Sequence, residues 1–198
     1  PDETTIHILP HWNWQGREGD TIPVFVYTNG DKAVLFLNGE SLGEKPMTND
    51  LQIVWKVPYR PGTLEVKAYR QGETVATDKQ QTAGPGRQLR LESDRSIMKA
   101  NRRDVAHLKV SVLDSNGTLV PEADQAIHFD IQGPARLLGV ENGDILDLSP
   151  HDVPRRKAFK GKCLLVIQNT GERGVVRVTA SAEDLWKAET IIEVQNEK

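Results

Sequence analysis

Apolar residues recur at every second position through most of this chain, and no long stretch repeats them every third or fourth. Period two puts residues i and i+2 on one face of a strand. Between residues 51 and 57, Leu51, Ile53, Trp55 and Val57 share a face. Between 63 and 70, Leu64, Val66 and Ala68 face inward while Glu65 and Lys67 face out. Turn formers interrupt the alternation. Asn29-Gly30 sits between two apolar runs and is a strong hairpin signal, because both central residues of a type I′ turn need φ > 0. Asn38-Gly39 and Gln71-Gly72 punctuate in the same way, and Pro58, Pro61 and Gly62 would stop any helix.

The pattern predicts strands near 4–9, 21–28, 32–37, 41–45, 51–57, 63–70 and 73–82. Strands of this number and spacing suit a β-sandwich of immunoglobulin type. Gly84-Pro85-Gly86 then breaks the rhythm and reads as a linker. Alternation restarts at Gln88–Ser93. Leu108, Val110 and Val112 share a face, as do Ile127, Phe129 and Ile131, and Arg136–Val140 forms a further strand. A long loop runs from Glu141 to about residue 156, and strands near 157–169, 174–182 and 188–195 close the unit. The fold class expected is all-β, two consecutive immunoglobulin-like β-sandwich domains over residues 1–84 and 85–198.

Charge and cysteine content narrow the function. The net charge of the 198 residues is −3. Up to residue 84 there are 8 Lys+Arg against 11 Asp+Glu, and beyond it 17 against 17. Neither half carries the basic footprint of a nucleic-acid binder, and Arg155-Arg156-Lys157 reads as a solvated loop. No apolar run approaches the roughly 18 residues of a membrane span, so no membrane insertion is expected. The one cysteine, Cys163, lies in the apolar run Cys163–Ile167 and reads as buried and inert. A chain that starts at Pro1 without Met reads as a processed chain or as a piece cut from a longer one.

Chemistry is hard to find. Glycoside hydrolysis needs two carboxylates across a cleft, yet residues such as Glu65, Asp31 and Asp114 fall on outward strand positions or in turns. No Gly-x-Ser-x-Gly elbow or phosphate loop occurs. His7 and His11 lack a third metal ligand, and His107, His128 and His151 are scattered. Glu141, Asn142, Asp144 and Asp147 form an oxygen-rich loop without the spacing of a defined calcium motif, and read as a turn. No catalytic residue, metal or cofactor is assigned.

What remains is aromatic. His7-Ile8-Leu9-Pro10-His11-Trp12-Asn13-Trp14-Gln15-Gly16 places two tryptophans and two histidines in one loop-like segment. Trp12 and Trp14 have the same parity, so in an extended segment they would point the same way. Sugars stack on exposed indole faces. The alternative is a tryptophan pair packed in the sandwich or against a neighbouring domain. Trp55 reads as core, and Trp186 as the cover of a sheet edge.

The ordered set His7–Trp14 with Gly16, then Val24-x-Val26-Tyr27-Thr28-Asn29, then Leu35-Phe36-Leu37-Asn38-Gly39-x-Ser41-Leu42-Gly43, resembles the region just after the catalytic barrel in bacterial β-galactosidases of glycoside hydrolase family 2. Further on, Val120-Pro121-x-Ala123, Gly139–Asp144 and Ala158-Phe159-x-Gly161 resemble the next immunoglobulin-like domain of those enzymes. The resemblance implies a non-catalytic accessory region. The catalytic glutamates of that family sit on a (β/α)8 barrel, and none of them carries over here. It also implies a parent that is a retaining exo-glycosidase exported to the periplasm or cell surface, with that barrel as this region's partner. His11, Trp12, Asn13 and Trp14 are then candidates for a domain interface or, as the second reading, for a sugar-stacking platform in a carbohydrate-binding module. An adhesin-type array is a third reading, opposed by the motif in the first unit.

Overall fold

The computed structural model describes residues 3–48 and 52–196, so Leu51, assigned above to one strand face with Ile53, Trp55 and Val57, lies outside the described residues. The chain divides into two units, Pro1–Thr82 and Ala83–Lys198.

The first unit contains β1 (Ile6–Leu9), β2 (Thr21–Thr28), β3 (Lys32–Leu37), β4 (Glu40–Pro46), β5 (Ile53–Pro58), β6 (Thr63–Arg70) and β7 (Glu73–Gln81). They form one sheet ordered β1-β2-β5 and a second ordered β4-β3-β6-β7. The period-two pattern explains the core: Ile22, Val24 and Val26 from β2 and Ile53, Trp55 and Val57 from β5 pack with Ala33, Leu35 and Leu37 from β3 and Leu64 and Val66 from β6. Each large apolar side chain so buried contributes on the order of 1.5–3 kcal/mol. At the edge, β4 is mostly exposed and carries Glu44 and Lys45, which discourage pairing with another chain. Asp78 of β7 fastens β1: its carboxylate accepts the Ile8 N–H at 2.8 Å and lies 3.3 Å from His7 Nδ1.

The hairpin expected at Asn29-Gly30 is not there. β2 and β3 belong to different sheets, and neither Asn29 nor Gly30 has a positive φ. Glycine is needed at 30 for another reason: a Cβ there would come within 2.9 Å of the Tyr69 carbonyl oxygen. Asn29 works through its side chain, accepting the Thr5 N–H at 2.9 Å and donating to the Glu3 carbonyl at 2.8 Å. The left-handed turns lie at Asn38-Gly39 (φ 52° and 84°) and Gln71-Gly72 (φ 52° and 88°), joining β3 to β4 and β6 to β7.

The second unit contains β8 (Gln88–Ser93), β9 (Ile97–Lys99), β10 (Val105–Leu113), β11 (Ala126–Gln132), β12 (Ala135–Glu141), β13 (Arg155–Lys157), β14 (Lys162–Asn169), β15 (Gly174–Ser181) and β16 (Ala188–Gln195). The sheets run β12-β14-β10-β8 and β13-β11-β15-β16-β9. Leu108, Val110, Leu165 and Ile167 from the first meet Ile127, Phe129, Val176, Val178 and Ile192 from the second. Gly84 is tied to this unit, its N–H donating to the Asp114 carboxylate at 2.9 Å. Asp114 also accepts the N–H groups of Asn116 and Thr118.

Two details differ from the sequence pattern. The single strand expected at 157–169 is two strands in opposite sheets, β13 paired with β11 and β14 with β10 and β12. The chain crosses between them at Lys160-Gly161, where φ is 50° and 73° and a Cβ on Gly161 would lie 2.2 Å from the Val120 oxygen. The short β9, which runs parallel to β16, has no counterpart in the sequence reading. Cys163 is buried on the inner face of β14, where burial pushes its thiol up to about 12. All regular elements among the described residues are strands, and no helix is long and apolar enough to cross a membrane. The protein is all-β, with two β-sandwiches.

Candidate functional site

The segment between β1 and β2 is a series of turns rather than an extended run, and this separates the two tryptophans. Trp12 is wholly buried in the first unit's core. Its Nε1–H donates to the Arg60 carbonyl at 3.0 Å, and its ring meets Tyr59 edge-on with centroids 5.2 Å apart. Its own carbonyl accepts the Thr82 hydroxyl at 2.5 Å. Asn13 is buried beside it, and its N–H donates to His11 Nδ1 at 3.2 Å. Trp14 and His11 are half-buried and stack on each other at 4.8 Å, 23° from parallel. Trp14 Nε1–H donates to the His11 carbonyl at 3.1 Å, and the Arg17 guanidinium lies 5.2 Å from the Trp14 ring. The equal-parity expectation fails because it assumed an extended backbone. No two-tryptophan platform is formed; Trp14 with His11 and Arg17 is the part that reaches the surface. Trp55 is core at 4% exposure. The backbone of Trp186 pairs with Arg87 and Leu89, as an edge cover would, but its ring stays open.

The acidic loop between β12 and β13 is more elaborate. Asn142, Asp144 and Asp147 turn the chain by accepting N–H groups two residues on: Asp144, Leu146 and Ser149, at 2.9, 3.0 and 2.9 Å. Glu141 accepts the N–H groups of Asn142 at 2.7 Å and Gly143 at 3.1 Å. Asn142 Nδ2–H donates to Asp147 at 2.8 Å and to the Lys157 carbonyl at 3.1 Å.

Arg156 stands at the centre of this loop. Alternation along β13 turns Arg155 and Lys157 outward and Arg156 inward, with its side chain fully buried. Its guanidinium lies 3.3 Å from Asp147 and 3.4 Å from Glu141, donates to the Ser149 carbonyl at 3.0 Å and sits 3.0 Å from His151 Nδ1. The Arg155-Arg156-Lys157 cluster is therefore no solvated loop at its middle position. Strand parity was the available signal, hidden because so short a strand shows no pattern of its own.

The electrostatics follow from these contacts. Hydrogen bonds from Ser149, with help from Asn142 and the Arg156 charge, hold the Asp147 carboxyl at about 2 against an ordinary 3.8. The N–H groups of Asn142 and Gly143 likewise lower that of Glu141, and the Arg156 charge adds to them. The cation these oxygens hold is the guanidinium itself. Above this polar base the loop turns its apolar residues outward: Ile145 is 94% exposed, Leu146 81% and Leu148 94%.

These features define a class: an all-β pair of sandwiches in which Glu141, Asp144 and Asp147 serve turns and a clamp on Arg156. Comparison with known proteins makes it specific. Residues 89–191 match the model of the glycoside hydrolase family 2 C-terminal domain 5, and residues 19–76 match a domain of unknown function, DUF4982. The chain is 41% identical over 189 residues to the beta-galactosidase BoGH2A of Bacteroides ovatus, covering 94% of this chain and 22% of that enzyme. It is 36% identical over 150 residues to a putative beta-glucuronidase of Formosa agariphila, covering 74% of this chain and 14% of that protein. A beta-glycosidase from Bacteroides vulgatus superposes with a TM-score of 0.95 at 40% identity, covering 98% of this chain and 25% of that one. The chain belongs to glycoside hydrolase family 2, in its C-terminal, accessory and non-catalytic part. It spans 22%, 14% and 25% of the length of these three relatives.

Proposed function

We propose that this region packs on and supports the catalytic (β/α)8 barrel of a parent exo-glycosidase that hydrolyses β-galactosides with retention. One observation carries the reading: likeness to a beta-galactosidase runs through 94% of this chain but only 22% of that enzyme. The seam would run along His11, Asn13 and Trp14, with Trp12 fixing the segment from beneath. Both sandwiches are read as immunoglobulin-like, from their strand number and their strand pairing, antiparallel everywhere except at β9. The parent is read as a bacterial protein of the periplasm or cell surface, which fractionation of the source cells would test.

The test is deletion and add-back. The parent lacking this region should lose its aryl β-galactosidase activity on warming several-fold faster than the intact parent, and the 198-residue chain added in trans should restore part of that lifetime. Equal lifetimes with and without the region would refute the supporting role.

Trp14 keeps the carbohydrate-binding reading open in a narrower form, because its half-buried ring is the indole of the pair that reaches the surface. Quenching or enhancement of its fluorescence by millimolar galactosides, absent in Trp14→Ala, would support that reading.

A further inference from the structure

We propose that Ile145, Leu146 and Leu148, at the tip of the loop between β12 and β13, form a docking knob that seats in an apolar recess of the parent's catalytic part. This rests on the accessory reading above and assigns the second sandwich a contact of its own, in a different place from the His11–Trp14 seam.

Three observations carry it. The first is exposure: these side chains are 94%, 81% and 94% open, more than any other large apolar residue described, with Trp186 next at 72%. Clustered exposed apolar side chains mark interaction sites more often than they mark free surface.

The second is that the loop is held in this arrangement. Side-chain oxygens of Asn142, Asp144 and Asp147 accept the N–H groups of Asp144, Leu146 and Ser149, and Arg156 is buried against Glu141, Asp147 and the Ser149 carbonyl. Burying a guanidinium is costly, and here both terminal nitrogens are met while Nε has no partner among the described residues, so the cost is only partly offset. The guanidinium is buried beneath a loop whose apolar residues face water, the reverse of the usual arrangement.

The third concerns the occupant. Residues 142–154 include no Lys or Arg, and the exposed Arg155 and Lys157 stand at the loop's base in β13, so the tip itself offers no basic surface to an anionic membrane or a polyanion and an apolar protein recess fits. The loop lies inside the stretch matched by the family 2 C-terminal domain model. In the two most similar proteins reported above, 22% and 25% of the length corresponds to this chain, so most of the polypeptide available to cover the knob is the remainder of such an enzyme.

Hydrogen exchange compares residues 142–156 in the 198-residue chain and in the intact parent, each with and without Ile145→Ser, Leu146→Ser and Leu148→Ser together. Amides at the tip should exchange about tenfold or more slowly in the parent than in the isolated chain, and the triple substitution should abolish the difference. The isolated chain's own unfolding midpoint should not move, which shows that the substitutions leave the sandwich folded. Equal exchange in both settings overturns the proposal. So does a concentration-dependent dimer of the isolated chain that the triple substitution dissolves, because a second copy would then be the occupant. If the parent hydrolyses no β-galactoside but tip protection persists, the substrate reading fails and the docking knob stands.

Discussion

Two loops of comparable length, residues 10–20 in the first unit and 142–154 in the second, bury opposite kinds of side chain. The first takes an indole inside: Trp12 is in the core, its N–H on the Arg60 carbonyl, while Glu18 and Asp20 remain outside. The second takes charge inside: Arg156 lies beneath it against Glu141 and Asp147, and Ile145, Leu146 and Leu148 are left in water. A loop's polar and apolar content therefore does not say which part it shows. Where the backbone N–H groups find acceptors decides. Asx turns in the second loop commit its carboxylates to the backbone, and the intervening apolar residues are turned out.

The comparison can be broken most severely at Trp12. Trp12→Ala should destabilise the first unit by about 3–5 kcal/mol, the usual cost of emptying a large aromatic site. Urea unfolding followed by far-UV circular dichroism would measure it, and a loss below about 1 kcal/mol would mean that the indole is not a core element. Arg156→Met comes next. It leaves two carboxylates without their cation and should cost about 2–3 kcal/mol in the second unit, below the figure for a fully buried pair because Glu141 is half in water. The matching control, Arg155→Met on the exposed position, should change stability by less than about 0.5 kcal/mol.

The Asp147 carboxyl sharpens the same point through pH. Its value in the folded protein, about 2, lies below the ordinary 3.8, so its contribution to stability is present above about pH 4 and is lost as pH falls toward 2. Unfolding midpoints measured from pH 5 to pH 2 should decline more steeply for the native chain than for Asp147→Asn, and parallel curves would dissociate Asp147 from the clamp. Smallest is Trp14→Ala, expected to cost about 1 kcal/mol because its ring is already half in water and gives up only its contacts with His11 and Arg17.

Much of the sandwich architecture could be read from alternation, because a strand buried on one face must write its core at every second residue. The failures share a cause. Asn29-Gly30 and Asn38-Gly39 are the same dipeptide between apolar runs, yet only the second is a left-handed hairpin turn. At the first, the glycine makes room for the Tyr69 carbonyl and the asparagine side chain fastens the segment just before β1, tertiary reasons invisible locally. The same holds at Lys160-Gly161, where an apparently continuous strand changes sheets. In the candidate sites, sequence located the segments but not their orientation. His11, Trp12, Asn13 and Trp14 do lie together, but turns rather than a strand decide that Trp12 enters the core. Arg156 was hidden in a basic run because its inward direction depends on pairing with Ile127 in β11.

The central claim is that this chain is the accessory part of a family 2 glycosidase and leaves the chemistry to the rest of the parent. Hydrolysis of an aryl β-galactoside by the purified 198-residue chain, at concentrations where the intact parent turns over readily, tests it most directly. The rate should equal that of buffer. Turnover that follows the folded chain through its own unfolding transition would contradict the account.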